Sequence, residues 1–288
     1  MTNISFWKMH GAGNDFFVTN PDANMYAKHD WSRLAVEMCD RHLGVGADGI
    51  ILVLPSENAD MRMQIINADG SEPEMCVNGI RCFVKYCLDQ KLCNDIDGSL
   101  TVETLSGMVD TQSTVGTDGF VEYVRIELAE PDFDPLSVGV ETDRPPPVQN
   151  MGILVSDDDV VVNMDLVSMG NPHAISFIET EVADYPLTSI GPLVENNQLF
   201  ANRTNFEIVN VMDRSNLTVR VWERGVGETL ACGSGACAVV AAAHTRGFVD
   251  NLVNVELPGG TLNIEWDGEG SIFLTGPVTK VFEGGWEV

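Results

Sequence analysis

Short apolar runs and alternating stretches, cut by Gly- and Pro-containing turns, dominate this chain and predict a strand-rich fold with few helices. Residues 50–54, Ile-Ile-Leu-Val-Leu, are continuously apolar and of strand length, as in a strand buried on both faces. Residues 61–66, 121–128 and 217–222 alternate instead. In the second of these, Val124, Ile126 and Leu128 point one way and Arg125 and Glu127 the other. Residues 30–42 carry the helical period, with Asp30 as N-cap, Leu34, Ala35 and Met38 on one face, and Gly44 as a stop.

Two further helices are each opened by a cysteine. After Cys76, the residues Ile80, Phe83, Val84 and Cys87 fall at i, i+3, i+4 and i+7. After Cys232, residues 236–243 are apolar on every side and Gly247 closes the segment, so this helix is expected to be wholly buried. Both segments follow one plan: a strand, a polar or Gly-rich turn, Cys-x-x-Gly, then a buried helix. The interval from Asn67 to Cys76 equals that from Glu223 to Cys232. An internal duplication therefore predicts two similar halves related by a pseudo-two-fold axis. The Pro-rich stretch 131–149 is expected to be irregular, and on composition a boundary falls there.

The formal net charge of −27 over 288 residues argues against nucleic acid or an anionic membrane as partner. The N-terminal residues show no basic start followed by an apolar stretch, and no apolar run approaches the roughly 20 residues that cross a bilayer. Seven cysteines, an odd number, read as free thiols in a reducing compartment. A cytoplasmic location is expected.

A thiol at the mouth of a buried helix has particular chemistry. The first N–H groups of the helix lack internal partners and the dipole adds partial positive charge, which favours a thiolate and binds carboxylates. Gly79 and Gly235 let backbone come close to a ligand. Should the halves pack face to face, one thiol stands on each side of a bound α-carbon. One removes the α-proton and the other delivers a proton to the opposite face, inverting the centre. No motif for pyridoxal phosphate or a metal is visible, so stabilisation of developing charge by fixed dipoles carries the barrier reduction.

Several longer motifs occur in order along the chain. They are His10-Gly11-Ala12-Gly13-Asn14-Asp15-Phe16, Asn67-Ala68-Asp69-Gly70-Ser71-Glu72, Met75-Cys76-Val77-Asn78-Gly79-Ile80-Arg81-Cys82 and Gly170-Asn171-Pro172-His173, then Glu223-Arg224-Gly225-Val226-Gly227-Glu228-Thr229 and Ala231-Cys232-Gly233-Ser234-Gly235. In these motifs the chain closely resembles the diaminopimelate epimerases. The resemblance implies an α+β fold of two β-rich, pseudo-symmetric halves, each a barrel-like sheet wrapped around a central helix. It places the halves at 1–124, joined by a returning strand at 277–288, and at 125–276. It implies cofactor-independent, metal-free interconversion of LL- and meso-diaminopimelate, in the supply of lysine and cell-wall precursors. Cys76 and Cys232 match the proton donor and acceptor pair, and His173 and Glu223 match positions that tune the thiols. Asn14, Asn67, Asn171, Asn205, Glu223 and Arg224 match substrate-holding positions, and backbone at Val77-Asn78 and Gly233-Ser234 matches the carboxylate cradle. The substrate would be the only partner beyond a homodimer. One departure stands out: Val77 occupies a position where the family usually has Gly, which matters if the backbone there needs a positive φ. Another is Gly49, which can offer only backbone where some members offer a side chain.

The remaining features have plainer readings. Gly44-Val45-Gly46-Ala47-Asp48-Gly49 spells G-x-G-x-x-G but follows a predicted helix and precedes a strand, the reverse of a dinucleotide site. Cys39, Cys82, Cys87, Cys93 and Cys237 lack metal-type spacing and read as core, and His10, His29, His42 and His244 as structural. Other functions stay open at this point. They are a racemase or isomerase of the same fold acting on another carboxylate, a thiol–disulfide redox protein, and an amino-acid binder without catalysis.

Overall fold

The computed structural model describes residues 3–73, 75–93, 97–155 and 160–288. Met1 and Thr2, which open the stretch read for a leader, lie outside the described residues. The chain divides into two compact units, Met1–Glu127 with Thr275–Val288, and Leu128–Leu274.

Unit 1 contains β1 (Asn3–Gly11), β2 (Asn14–Thr19), α1 (Ala23–Lys28), α2 (Trp31–Cys39), β3 (Gly49–Leu54), β4 (Met61–Asn67), α3 (Val77–Asp89), β5 (Ser99–Thr104), β6 (Gly107–Val115) and β7 (Val121–Leu128). Unit 2 follows with β8 (Met151–Leu154), β9 (Val161–Ser168), β10 (Pro172–Phe177), α4 (Leu187–Glu195), β11 (Asn205–Asp213), β12 (Asn216–Glu223), β13 (Gly227–Thr229), α5 (Gly233–Thr245), β14 (Leu252–Leu257) and β15 (Gly260–Glu265), and the chain passes back into unit 1 within β16 (Ile272–Pro277). The last strand, β17 (Thr279–Glu287), pairs antiparallel with β1 in unit 1.

The two units repeat one pairing scheme. In unit 1, β1 and β2 are antiparallel, β2 and β3 parallel, β3 and β4 antiparallel, and β4 and β5 parallel. In unit 2, β9 and β10, β10 and β11, β11 and β12, and β12 and β14 follow the same sequence of senses. The register makes the correspondence residue by residue. Phe16 opposes Gly49 as His173 opposes Asn205, and Val18 opposes Ile51 as Ile175 opposes Glu207. Asn14 thus corresponds to Asn171, Ile51 to Glu207, and Asn67 to Glu223. The helices α3 and α5 are each 13 residues long and each is N-capped by its cysteine, Cys76 or Cys232.

Most local expectations reappear. Ile80, Phe83, Val84 and Cys87 are fully buried on α3, and the Ala-rich face of α5 is buried all round. Gly247, in the left-handed conformation, closes α5, where Phe248 N–H reaches back to the Ala243 carbonyl at 2.9 Å. α2 ends earlier than its apolar period suggests. The Asp40 carboxylate accepts from the backbone of His42 and Leu43, both at 2.7 Å, and turns the chain out of the helix. The G-x-G-x-x-G segment is the turn from α2 into β3. Stretch 131–149 holds a short 3-10 turn at Pro135–Val138 and a single bridge from Asp132 to Ser168. Cys39, Cys82, Cys87 and Cys237 are buried, whereas Cys93 is only half-buried, in the turn after α3. No helix among the described residues is long and apolar enough to cross a membrane.

Candidate active site

In unit 1, Cys76 is in extended conformation and α3 begins at the next residue. Its Sγ accepts the Gly79 N–H at 3.4 Å, and the thiol donates to Asn14 Oδ1, also at 3.4 Å. Val77 is the first residue of α3, buried, and not among the positive-φ residues. The helical backbone there accepts a β-branched side chain, so the departure from Gly brings no strain. Gly79 is bordered by the ends of two isoleucine side chains. A Cβ there would stand 3.2 Å from Ile51 Cδ1 and 3.4 Å from Ile65 Cδ1.

Asn14 is braced from behind. Its Nδ2 donates to Asp48 Oδ2 at 2.7 Å, which fixes Oδ1 toward Cys76. Asp48 Oδ1 in turn accepts from Arg41 Nη2 at 2.8 Å, and the same Nη2 meets Asp15 Oδ1 at 2.7 Å. Lys8 completes the cluster against Asp15. Burial pushes the Asp15 carboxyl up, but Arg41 and Lys8 outweigh it and hold it below the usual carboxylate range. Asn78 is buried, with Oδ1 accepting from Arg81 Nη2 at 2.9 Å. Asn67 ends β4 in a turn, its side chain donating to Ser71 Oγ at 3.0 Å. Gly49 opposes Asn67 across β3 and β4, and a Cβ there would lie 2.5 Å from the Ile66 carbonyl oxygen.

In unit 2, Cys232 repeats the arrangement. It is extended, buried, and its Sγ accepts the Gly235 N–H at 3.4 Å, with Ser234 Oγ 3.5 Å away. Its thiol is pushed well above the ordinary cysteine range, first by burial and then by the charges of Glu223 and Glu207. Ser234 and the Gly235 N–H oppose that push without cancelling it. The expectation that a helix end lowers the thiol's pKa fails at this position, because desolvation and two carboxylates exceed the few N–H dipoles.

Asn171 Nδ2 donates to Ser234 Oγ at 3.3 Å, and its Oδ1 faces His173 Nε2 at 3.1 Å. His173 is fully buried, and its Nδ1 lies 2.7 Å from Glu207 Oε1. Asn205 bridges two turns: Nδ2 donates to the Pro172 carbonyl and Oδ1 accepts the Arg224 N–H, both at 2.8 Å. Glu223 accepts from the Thr229 hydroxyl. Arg224 is exposed, with Nη1 3.3 Å from the Asn202 carbonyl. The turn carrying Glu223 and Arg224 is clamped by buried Glu195, which accepts from Trp222 Nε1 and Gly225 N–H at 2.8 Å and from Arg203 at 3.0 Å.

Within unit 1 the structure thus joins Asn14 to Cys76. Within unit 2 it joins His173, Asn171, Ser234 and Cys232 in one chain, and Asn205 to Arg224. Sequence reasoning missed Glu207, Asp48, Arg41 and Glu195. Only Glu207 leaves a signal: a single acid inside the apolar run Asn205-Phe206-Glu207-Ile208-Val209.

A family model described as diaminopimelate epimerase matches residues 6–124 and 166–281. The chain belongs to the diaminopimelate epimerase family. Members from Heliobacterium modesticaldum and Halothermothrix orenii, both named diaminopimelate epimerase, are 41% and 43% identical to it. Each alignment covers 98% of this chain, and 99% and 97% of the respective relative. One from Methanococcus maripaludis strain C6 is 42% identical over 98% of this chain and 99% of its own. The epimerase fold extends to solved structures of lower identity. A PhzF-family phenazine biosynthesis protein of Bacillus anthracis superposes with a TM-score of 0.69 at 18% identity, over all of both chains. A probable proline racemase from Agrobacterium radiobacter K84 gives 0.68 at 16%, over 98% of this chain and 92% of its own. At such identities the likeness is one of fold. It agrees with the α+β architecture of two β-rich halves around helices that the motifs implied.

Proposed function

We propose that the chain is an isomerase that interconverts LL- and meso-diaminopimelate by two-base proton transfer, with Cys76 and Cys232 on opposite faces of the reacting α-carbon. Full-length identity above 40% to proteins bearing that name supports the substrate. The observation that carries the mechanism is the repeated device itself. Two cysteines, in corresponding places of two units, each cap a buried helix and each accept the N–H of the glycine three residues on. Backbone N–H groups at Val77-Asn78 and Gly233-Ser234 then receive the substrate carboxylate and hold the negative charge that grows on it as the α-proton leaves. Asn14, Asn67, Asn171 and Asn205 orient the amino acid. Glu223 and Arg224 supply one charge of each sign for the distal zwitterion, and His173 and Glu223 set the proton affinity of the thiols. The free thiols fit a reducing cytoplasm, and a homodimer is the proposed assembly.

Incubation with LL-diaminopimelate and chiral chromatography of the product tests this reading. The reduced protein should form the meso isomer. Cys76→Ala and Cys232→Ala should each lower turnover by about a thousandfold or more, as loss of a proton-transfer group does. A variant that keeps near-normal turnover removes its cysteine from the mechanism. The redox reading has less support, since it gives no role to the asparagines or to the glycine N–H contacts.

A further inference from the structure

The buried pair His173 and Glu207 is not required by the fold. The corresponding positions of unit 1 are Phe16 and Ile51, on strands paired in the same register, and both are apolar and buried. An imidazole and a carboxylate fully removed from solvent are costly unless matched. Here Glu207 Oε1 meets His173 Nδ1, while Glu207 Oε2 has no hydrogen-bond partner among the described residues. Gly235 at the mouth of α5 makes room for this carboxylate, because a Cβ there would stand 2.7 Å from Glu207 Oε1.

The sense of the hydrogen bonds gives the pair a task. Asn171 turns its amide oxygen to His173 Nε2 and its amide nitrogen to Ser234 Oγ. An amide oxygen only accepts, so Nε2 carries a proton. Nδ1 and Glu207 then share a second proton, as imidazolium on carboxylate or as imidazole accepting from carboxyl, and either form leaves the buried pair without net charge. Ser234 Oγ accepts from Asn171, which leaves its own proton free to point at Cys232 Sγ. In unit 1 the sense is opposite. Asn14, held by Asp48, presents an oxygen to Cys76 and accepts the thiol's proton.

We propose that Glu207 is a positioning residue which, by keeping His173 protonated at Nε2, fixes the direction of the chain His173–Asn171–Ser234 and aims the Ser234 hydroxyl at Cys232. The chain favours Cys232 as proton acceptor, whereas Asn14 favours Cys76 as donor. It works against the carboxylates of Glu223 on β12 and Glu207 itself on β11; His173 on β10 and the α5 groups Ser234 and Gly235 complete the polar surroundings of Cys232. This assignment deepens the two-base reading and rests on it for its purpose, but not for its test.

The test is the pH dependence of Cys232 alkylation by iodoacetamide, read by peptide mapping without substrate. Glu207→Gln and Glu207→Leu both remove the negative charge that pushes Cys232 up, so loss of charge alone lowers the midpoint equally in the two. The Gln amide still donates to His173 Nδ1 and keeps the ordered chain, whereas Leu does not, so the midpoint in Glu207→Leu should lie above that in Glu207→Gln, by about one pH unit for one hydrogen bond to the charged form. Ser234→Ala, which cuts the far end and alters a less buried residue, should raise the midpoint above wild type by a similar amount, and in that background Glu207→Gln and Glu207→Leu should give the same midpoint. A midpoint in Glu207→Leu at or below that in Glu207→Gln overturns the proposal. Should either Glu207 variant not fold, an unmoved or lower midpoint in Ser234→Ala does so. Epimerisation measured in parallel separates the two readings: a wild-type protein that fails to epimerise, yet shows these shifts, sinks the substrate assignment and leaves the chain standing.

Discussion

At the scale of single residues, environment decides what each cysteine does. Cys82, one turn beyond the start of α3, is fully buried, and burial pushes its thiol up to about 12 from an ordinary 9.0. Its neutral form is the one the fold accommodates. Below pH 9 both folded and unfolded chains keep it protonated; between 9 and 12 only the unfolded chain ionises, so stability falls as pH rises through that window. Cys82→Ala should therefore reduce the loss of urea-unfolding free energy between pH 8 and pH 10.5, relative to wild type. An identical loss in both proteins contradicts the assignment. The two capping cysteines were legible as residues because each stands before a helix in a Cys-x-x-Gly frame. Of the charges near Cys232, Glu223 was named through the family motif, whereas Glu207 was not, since it lies 25 positions upstream and reaches the thiol only through strand register.

Elements differ in how tightly they hold the two helix mouths. Gly79 and Gly235 occupy the same place in α3 and α5, and alanine favours a helix over glycine by about 1 kcal/mol. At Gly79 the nearest atoms are the ends of two isoleucine side chains, which can give way. At Gly235 they include the Glu207 carboxylate at 2.7 Å and Cys232 Cβ and Sγ at 3.3 Å, which cannot move without breaking the bond to His173. Gly79→Ala should change stability by less than about 1 kcal/mol, while Gly235→Ala should cost roughly 1–3 kcal/mol, the range of overpacking. Thermal and urea unfolding of both variants checks the contrast, and equal costs would contradict it. Elements built on continuous apolar runs, such as β3 and α5, were read correctly from the chain. α2 overran in the reading because an Asx turn at Asp40 competes with helix locally, and α4 was missed because Gly191 and Pro192 inside it look like a turn.

For the whole molecule, duplication explains more than any motif alone. One pairing scheme, used twice, delivers two capped thiols, and the differences between the copies then set them apart. Asn14 and Asn171 correspond, yet one takes a proton from its thiol and the other ends a chain that points a hydroxyl at its thiol. Where unit 1 has Phe16 and Ile51, unit 2 has His173 and Glu207, a difference of chemistry at corresponding register positions. The repeat was visible in the sequence from the equal Asn67–Cys76 and Glu223–Cys232 intervals. The polar substitutions were not, because which strand positions correspond emerges only from the pairing.

Solvent exchange tests most directly whether two different groups exchange protons with one carbon. Reduced protein is incubated with LL-diaminopimelate in deuterium oxide and the α-positions are followed by NMR and mass spectrometry early in the reaction. Separate donor and acceptor thiols predict meso product carrying deuterium at the inverted carbon, while the remaining LL substrate keeps its α-protons. Deuterium entering the LL isomer as fast as the meso isomer, or inversion that keeps the original proton, would contradict a two-thiol mechanism.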